Sequence, residues 1–460
     1  MKNIKKNNLF NHLNKIKNNF DIFITSNLTI NKSSLNNERD KVLRAAPYLE
    51  YQEVILLFKD NLNLAKWIYF LDGFASQIII LSKNMSKDET NELIDKSKVR
   101  FILSDEKDEI KNLNIIYIDS LEDFVVEKNI YNQNKNKSNN TEWVIATSGT
   151  SGQAKLVIHS LDSLTGSTKS ERRNDIWGLL YNLEKFAGIQ VYLQALLSGS
   201  PLVIPKNDQS LSDTSILFSN KGVTSLSATP SLWKKLLMIK NIEIKSLKNI
   251  TLGGETAKNN ILNALSKKFP DAKIKHIYAS TEAGTGFVVS DGLEGFPVKY
   301  LDNSKFDLRM RVGDEGTLYI QSPSNAKDYL GKDKLSKKDE FIDTGDLIEI
   351  KNNRCYFIGR KNSVINIGGI KVYPDRIEEV LENMPEVSFA KVKAKKSSIL
   401  GNLIEALIVI NDDNEDIDKL KVKVRNYCSE FLEREMIPSF ITIEKDIVLS
   451  SSGKIKRNER

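Results

Sequence analysis

Residues 143–155 read WVIATSGTSGQAK and join a short apolar run to a loop rich in glycine and hydroxyl side chains. Gly149 and Gly152 permit a tight backbone path that a ligand can approach closely. Successive backbone N–H groups and hydroxyls in such a loop can surround an anion, and Lys155 adds a positive charge. The segment therefore predicts a polyphosphate-binding loop, and the alternative is a flexible turn without a ligand.

The loop differs from the Walker A phosphate loop, because the G-x-x-x-x-G-K-[ST] spacing is absent and Leu156 follows Lys155. We expect its residues to contact the polyphosphate together. The predicted contact set is Thr147, Ser148, Gly149, Thr150, Ser151, Gly152 and Lys155.

Strand-like and helix-like segments alternate on both sides of this loop. Residues 53–58 (EVILLF) and 76–81 (SQIIIL) are short apolar runs typical of buried strands, whereas residues 62–75 and 87–97 have helical spacing. This order predicts an α/β fold with parallel sheets and right-handed crossovers. A charged strand pair around residues 347–358 precedes about 100 residues of α+β pattern, so we expect a domain boundary there.

Composition limits the classes of protein to which the chain can belong. Its 460 residues, 40% of them hydrophobic, are enough for two or more domains. The net charge of +7 is a small excess in a highly charged chain and does not indicate a nucleic-acid partner. Neither a membrane-spanning run nor a secretory leader is visible, and the two cysteines have no metal-site spacing. We expect a cytoplasmic protein with reduced thiols.

Four further motifs follow the loop in a fixed order. They are YASTE at residues 278–282, DTGD at 343–346, Gly359-Arg360, and SGK at 452–454. Together with the loop they resemble the adenylate-forming superfamily, which includes acyl- and aryl-CoA synthetases, adenylation domains of nonribosomal peptide synthetases, and luciferases. The resemblance extends over nearly the whole chain.

The resemblance implies a particular architecture. It predicts a large N-terminal AMP-binding domain, residues 1–360, with two doubly wound sheets and a small β-barrel. It also predicts a smaller, mobile α+β C-terminal domain, residues 361–460, which closes over the site as a lid. Asn362 occupies the hinge position, where relatives more often have Asp, and Asn also tolerates unusual backbone angles.

The resemblance also implies the ligands, which are ATP, Mg²⁺, and CoA or a phosphopantetheine carrier. Thr281 would contact the α-phosphate and Glu282 would hold Mg²⁺, an oxygen-seeking cation. Tyr278 would stack on adenine, and Asp346 and Arg360 would bind the ribose hydroxyls. The alternatives are a helix N-cap for the Thr-Glu pair and a surface ion pair for Asp346 and Arg360.

Three residues relate to the acid and the thiol. Lys454 matches the catalytic lysine, which bridges acid and phosphate oxygens during adenylation. Gly254 lies in a turn (LGGE) that resembles the one between acyl pocket and adenine, although an ordinary tight turn is the alternative. Gly369, in IGGIKVYP, resembles the loop that lines the pantetheine tunnel, where a Cβ would narrow the approach.

Two departures from the family pattern concern the acid. Many relatives carry a gating His three positions before the glycine that corresponds to Gly188, where this chain has Lys185. Lys185 either pairs a second substrate carboxylate or faces solvent. Amino-acid-activating relatives place an Asp near Phe186, whereas here the nearest carboxylate is Glu184, which disfavours an α-amino acid.

The sequence thus predicts an ATP-dependent ligase that adenylates a small or medium carboxylic acid and transfers it to CoA or an acyl carrier protein. One alternative is an aminoacyl- or acyl-carrier-protein ligase that does not use CoA. A second, from a different class, is a catalytically silent adenylate-binding or carrier-docking protein. Four intact motif residues disfavour it, namely Lys155, Glu282, Asp346 and Lys454.

Overall fold

The computed structural model describes residues 8–107, 114–118, 140–147, 154–166, 174–240, 242–301, 308–331, 334–397, 401–411, 416–445 and 453–454. Over these residues the chain is a mixed α/β protein with a large N-terminal part and a smaller C-terminal part. The predicted fold class is confirmed.

Strands and helices alternate through the first two thirds of the chain. The strands here are β1 (Asp21–Ile24), β2 (Thr29–Asn31), β3 (Glu53–Leu57), β4 (Gln77–Ile80), β5 (Phe101–Ser104), β6 (Asn114–Tyr117), β7 (Glu142–Ala146), β8 (Leu156–Ser160), β9 (Trp177–Gly178), β10 (Leu202–Val203), β11 (Ser225–Ala228), β12 (Asn249–Gly253), β13 (Lys273–Ser280) and β14 (Gly284–Val289). The helices are α1 (Leu9–Asn14), α2 (Lys32–Ala45), α3 (Asn61–Leu71), α4 (Lys87–Ser97), α5 (Leu161–Thr165), α6 (Phe186–Ser198), α7 (Leu211–Asn220), α8 (Pro230–Met238) and α9 (Asn259–Lys268).

Strands predominate after this region until the C-terminal helices. The remaining strands are β15 (Phe296–Pro297), β16 (Arg309–Val312), β17 (Thr317–Gln321), β18 (Asp328–Tyr329), β19 (Lys337–Lys338), β20 (Phe341–Lys351), β21 (Arg354–Arg360), β22 (Ile365–Ile367), β23 (Ile370–Val372), β24 (Val387–Ser397), β25 (Gly401–Ile410) and β26 (Phe440–Ile443). The helices are α10 (Pro374–Glu382) and α11 (Ile417–Phe431).

Local sequence signals set several of these boundaries. The helix predicted at residues 87–97 coincides with α4. It begins with a capping box, in which the Ser86 side chain accepts from the Glu89 backbone and the Glu89 side chain accepts from the Ser86 backbone. Similarly, Asp60 caps α3 by accepting a hydrogen bond of 2.8 Å from the backbone of Asn63.

Two large sheets form the N-terminal part. The first has the order β14-β13-β12-β11-β9-β10-β1-β2 and is parallel between β13 and β1. The second has the order β18-β8-β7-β4-β3-β5-β6 and is parallel between β7 and β6. Because the carboxyl ends of parallel strands carry ligand sites in such sheets, the loops that follow β7 and β13 are placed for binding.

The main hydrophobic core lies between these two sheets. Val54 and Ile78 of the second sheet share a cluster with Phe23 of the first sheet. Their neighbours Ile55 and Ile79 face the other way and pack with α4 in a separate cluster. Burial of both faces explains why these strands appear as continuous apolar runs in the sequence.

A smaller six-stranded antiparallel sheet has the order β15-β21-β20-β17-β16, with β19 beside β20. The prediction of a small β-barrel did not specify its strands. Beyond it, β22–β26, α10 and α11 share one hydrophobic cluster of their own, which contains Ile377, Ile404 and Val424. Cys355 and Cys428 are buried and not paired in a disulfide. Among the described helices, none has the length and apolar character needed to cross a membrane.

Candidate active site

The two ends of the predicted phosphate loop are joined by hydrogen bonds. The backbone N–H of Thr147 donates to the carbonyl of Lys155 at 2.8 Å, and the backbone N–H of Lys155 donates to Oγ1 of Thr147 at 3.2 Å. The loop therefore connects β7 to β8, which pair antiparallel. The other members of its predicted contact set lie outside the described residues, namely Ser148, Gly149, Thr150, Ser151 and Gly152.

Thr281 and Glu282 follow the carboxyl end of β13, and a buried histidine holds the first of them. Nε2 of His159 lies 2.7 Å from the carbonyl oxygen of Thr281, and Nδ1 lies 3.0 Å from Oγ of Ser163. A carbonyl can only accept, so the proton is on Nε2 and Nδ1 accepts from the serine. Burial lowers the pKa of His159 to about 4, which keeps the ring neutral at physiological pH.

Tyr329 links Lys155 to Glu282. Its hydroxyl donates to Oε1 of Glu282 at 3.2 Å, and the ammonium of Lys155 lies 4.7 Å from the centre of its ring. The backbone of this segment pairs with β8, where Tyr329 is opposite Val157. The loop lysine and the predicted metal ligand are therefore neighbours in space, although they are far apart in sequence.

Asp346 joins Tyr278 and Arg360, the other two predicted nucleotide contacts. The hydroxyl of Tyr278 donates to Oδ2 of Asp346 at 2.5 Å, and Nε of Arg360 donates to Oδ1 at 2.8 Å. The ring of Tyr278 lies parallel to Phe287 and Phe357, with centroids 5.3 and 5.2 Å away. The register of β20 and β21 places Asp346 opposite Arg360, which explains the pairing.

Charge and burial fix the protonation states in this cluster. The negative charge of Asp346 raises the pKa of Arg360 above its ordinary value. Burial and then the charge of Asp346 raise the pKa of Tyr278, so its hydroxyl remains a donor at neutral pH. Each oxygen of Asp346 keeps a lone pair beyond the bond described here, so the carboxylate can still accept from a ribose. The adenine and ribose contacts stay predictions.

Lys454 enters the same site from the C-terminal end of the chain. Its Cε lies 3.0 Å from the position that a Cβ on Gly254 would occupy. The hydroxyl of Thr229, which caps α8, donates to the carbonyl oxygen of Gly453 and so anchors the segment. Burial and then the charge of Arg360 lower the pKa of Lys454, while the carboxylates of the site oppose this shift.

Ion pairs connect the C-terminal part to the N-terminal part in the arrangement that places Lys454 beside Gly254. Lys234 pairs with Glu382 at 2.5 Å, and Lys258 pairs with Glu379 at 3.1 Å. Gly369 lies apart from the site, on the exposed turn between β22 and β23, where a Cβ would meet no atom within 4 Å. The structure thus brings Lys454 into the site and leaves Gly369 outside it.

Lys185 and Phe186 begin helix α6. Lys185 is only 9% exposed and has no hydrogen-bond or ion-pair partner among the described residues, which disfavours the solvent-facing alternative. Burial lowers the pKa of its ammonium, and the charge of Glu184 opposes this shift. Glu184 itself accepts from the hydroxyl of Ser82 at 3.0 Å. The ring of Phe186 lies 5.8 Å from that of His159, so α6 begins near Thr281.

The residues present are compatible with magnesium carried on a triphosphate. The described residues contain no group of three or more His, Cys, Asp or Glu side chains that could hold a metal ion on its own. Magnesium bound with a nucleotide usually needs only one or two protein carboxylates, because phosphates and water supply the other ligands. Glu282 offers one, since only its Oε1 has a hydrogen-bond partner among the described residues.

Three residues of the site were not predicted from the sequence. His159 is one of three histidines in the chain and follows the loop closely, which was a usable signal. Thr229 precedes a proline, a pattern typical of a helix start, but nothing in the sequence relates it to Gly453. Tyr329 has no motif around it, and its role emerges only from the pairing of β18 with β8.

Comparisons with known proteins identify the family of the chain. The family model described as AMP-binding enzyme matches residues 70–330, more than half of the chain. The 2-succinylbenzoate–CoA ligase of Listeria innocua is 25% identical over 69% of each chain, and that of Lactococcus lactis is 24% identical over 93% of this chain and 94% of its own.

Solved structures show the same fold. The o-succinylbenzoate CoA synthetase of Bacillus subtilis, in complex with its acyl-adenylate intermediate, has a TM-score of 0.77 and 19% identity, covering 98% of this chain and 97% of that one. ATP-bound MatB from Rhodopseudomonas palustris has a TM-score of 0.78 and 16% identity at the same coverage. The chain belongs to the family of AMP-binding enzymes and is an ATP-dependent acid–thiol ligase.

Proposed function

We propose that the enzyme joins a small or medium carboxylic acid to AMP and then transfers the acyl group to the thiol of CoA. The observation that carries this proposal is the position of Lys454. Its ammonium lies close enough to Asp346 and Glu282 for their charges to act on its pKa. A single site thus holds a cation for the reacting oxygens, a candidate ribose ligand and a candidate metal ligand.

In the first half-reaction, an oxygen of the acid attacks the α-phosphorus of ATP, the bond to the β-phosphate breaks, and pyrophosphate leaves. Lys454 would bridge the attacking and phosphate oxygens, which both carry negative charge in the transition state. The Thr281 hydroxyl would donate to the α-phosphate, and Lys155 with its loop would hold the other phosphates. Magnesium, when bound at Glu282, neutralises charge on the leaving pyrophosphate.

Three residues would position the nucleoside during both half-reactions. Asp346 would accept the ribose hydroxyls, with Arg360 beside it, and Tyr278 would contact adenine. These assignments rest on the hydrogen-bonded cluster that the three side chains form and on the matching family motifs.

In the second half-reaction, the thiol loses its proton to solvent and its sulfur attacks the acyl carbon. The bond from that carbon to the AMP oxygen then breaks, and AMP leaves. We place the domain boundary between residues 360 and 361 and propose that the lid rotates about Asn362. Asn362 is exposed and lies in a short 3₁₀ turn, Lys361–Ser363. Rotation would remove Lys454 and bring the Gly369 loop toward the thiol.

The start of α6 supports an acid that carries a second anionic group. Lys185 is buried without a partner among the described residues, and a buried unpaired ammonium is unfavourable. A substrate carboxylate would compensate for this cost. An α-amino acid is disfavoured, because Glu184 is engaged by Ser82 and Phe186 offers no charge for an ammonium.

The acceptor is proposed as CoA because the ligases similar over most of their length act on CoA by name. An acyl carrier protein is the alternative, because the motifs also resemble those of adenylation domains of nonribosomal peptide synthetases. We also propose that the enzyme is located in the cytoplasm and has no nucleic-acid partner.

Exchange of labelled pyrophosphate into ATP, with aliphatic, aryl, hydroxy and dicarboxylic acids, tests the first half-reaction. Acid-dependent exchange is expected, followed by thioester formation when CoA is added. ATP binding without exchange for any acid in the panel would favour the silent adenylate-binding protein. Exchange followed by transfer only to a phosphopantetheinylated carrier protein would reject CoA as the acceptor.

A further inference from the structure

Tyr329 contacts both charged groups of the phosphate and metal site at once. Its hydroxyl donates to Oε1 of Glu282, and its ring lies 4.7 Å below the ammonium of Lys155. Tyr329 lies in a strand of the second sheet and Lys155 directly precedes another, β8, whereas Glu282 follows a strand of the first sheet. One side chain therefore spans the junction of the two sheets at the site.

The backbone around Tyr329 makes this contact rigid. Leu330 donates to the carbonyl of Leu156 at 2.7 Å, which ties the tyrosine to the strand that begins beside Lys155. Ala326 donates to the carbonyl of Glu282 at 2.8 Å. The same segment thus fixes the backbone of Glu282 through Ala326 and its carboxylate through Tyr329.

Opposite charges in one site would ordinarily pair. Lys155 makes no ion pair with a described carboxylate, and its ammonium contacts the Tyr329 ring instead. A cation held on an aromatic face keeps its N–H donors available, because the ring takes no directed hydrogen bond from them. Oε2 of Glu282 likewise has no hydrogen-bond partner among the described residues. Both groups are therefore ready for ligands.

We propose that Tyr329 is a positioning residue that keeps Lys155 and Glu282 apart, so that Lys155 is free for phosphate and Glu282 for magnesium. This inference rests on the proposed function of the site. The hydroxyl fixes the carboxylate, and the ring holds the ammonium in place. Without the ring, Lys155 would pair with Glu282, and each would then compete with the nucleotide or the metal.

Two substitutions separate these contributions. Tyr329→Phe keeps the ring and removes only the hydroxyl, so Glu282 loses the hydrogen bond that orients its carboxylate. Loss of such a bond to a metal ligand should raise the half-saturating Mg²⁺ concentration by about 10-fold. Affinity for ATP without metal should stay unchanged. Tyr329→Leu should also weaken metal-free ATP binding by about 10-fold, because Lys155 would then pair with Glu282 and its charge-assisted contact to phosphate would be lost.

A rescue experiment distinguishes positioning from mere structural support. Glu282→Gln added to Tyr329→Leu removes the competing carboxylate, and it should raise metal-free ATP affinity by more than Glu282→Gln raises it in the wild type. Tyr300→Phe is the matched control, since it also removes a single tyrosine hydroxyl, but one that donates to a backbone carbonyl (Val288, 3.3 Å) and not to Glu282.

Calorimetric titration with ATP, with and without Mg²⁺, supplies the readout and requires no acid or turnover. Melting temperatures check that each variant is folded, and the conservative Tyr329→Phe variant keeps the test valid if Tyr329→Leu is unstable. Unchanged Mg²⁺ dependence in Tyr329→Phe, or absence of rescue in the folded double variant, would overturn the proposal. A wild-type enzyme that binds Mg·ATP normally but activates no acid would reject the proposed function and leave this inference standing.

Discussion

The side chain of Lys454 packs closely against Gly254, with its Cε 3.0 Å from the position that a Cβ on Gly254 would occupy. Gly254 also has a φ of +83°, a backbone conformation that favours glycine. The glycine turn, for which an ordinary tight turn was the alternative, therefore leaves room for Lys454, the proposed catalytic lysine.

Replacement of Gly254 by alanine should slow adenylation selectively. The added methyl group should displace Lys454, and adenylation should fall by about 10-fold or more, the order expected when a charge contact to the transition state is misplaced. Gly292→Ala is the control, since Gly292 has a similar φ of +78° but no atom within 4 Å of its Cβ position. Equal adenylation rates in the two folded variants would contradict the steric explanation.

Replacement of Glu282 by glutamine should abolish Mg²⁺-dependent adenylate formation. The neutral amide keeps the shape of the side chain but is a much weaker ligand for a hard cation. Pyrophosphate release over a range of Mg²⁺ concentrations is the measurement. Release close to that of the wild type would show that the carboxylate does not hold the metal.

A panel of acids should show which charge the acyl pocket accepts. We expect acids with a second anionic group to be favoured and α-amino acids to give no more than background exchange. Lys185→Met should reduce kcat/KM for the preferred diacid by about 10-fold or more, because a buried charge pair is lost, and should affect a monocarboxylic acid less. Lys206→Met, at an exposed position, serves as the control. Fastest exchange with an amino acid would show that Phe186 and Glu184 have been misinterpreted.

The stability of the protein should depend on pH through His159. Burial lowers its pKa from the ordinary value of 6.5 to about 4 in the folded state, so the unfolded chain binds the extra proton between these limits. The free energy of unfolding is therefore not reduced by this histidine above pH 6.5, and it falls as the pH drops from 6.5 toward 4, because only the unfolded chain takes up the proton. Between pH 7 and pH 5 the wild type should lose about 2 kcal/mol more unfolding free energy than His159→Gln. Denaturant titrations at pH 7 and pH 5 measure this loss in each protein. The same loss in the wild type and in His159→Gln would contradict a buried neutral histidine.

Much of the fold follows from local signals in the sequence. The capped helix at residues 87–97 and the apolar strand at residues 53–58 were placed correctly to within one residue, because caps and continuous apolar runs act locally. The pairing of Asp346 with Arg360 was also accessible, since both lie on neighbouring strands of one hairpin.

The remaining features depend on long-range contacts. His159 and Thr281 are separated by 122 positions, and only the meeting of the two sheets brings them together. The same holds for Tyr329, which no motif marks. The pose of the C-terminal part is set by ion pairs such as Lys234 with Glu382, and a sequence does not state which of several surfaces a domain will contact.

Restriction of the proposed hinge should separate the two half-reactions. Asn362→Pro fixes φ near −65°, a value compatible with the 3₁₀ turn in which Asn362 lies. Adenylation should persist, whereas transfer to the thiol should be blocked, because the lid would remain in the adenylating pose. Asn362→Ala provides the control for loss of the side chain. Normal transfer in the proline variant would place the hinge elsewhere.

The most direct measurement compares both half-reactions in Lys454→Ala, using ATP with acid in one assay and preformed acyl-AMP with CoA in the other. Acyl-AMP formation should fall by roughly 100- to 1,000-fold, the scale of one lost transition-state contact. Thioester formation from preformed acyl-AMP should continue at nearly the wild-type rate, because Lys454 would have left the site by then. Equal loss of both half-reactions in a variant with an unchanged melting temperature would contradict an adenylation-specific lysine delivered by an alternating lid.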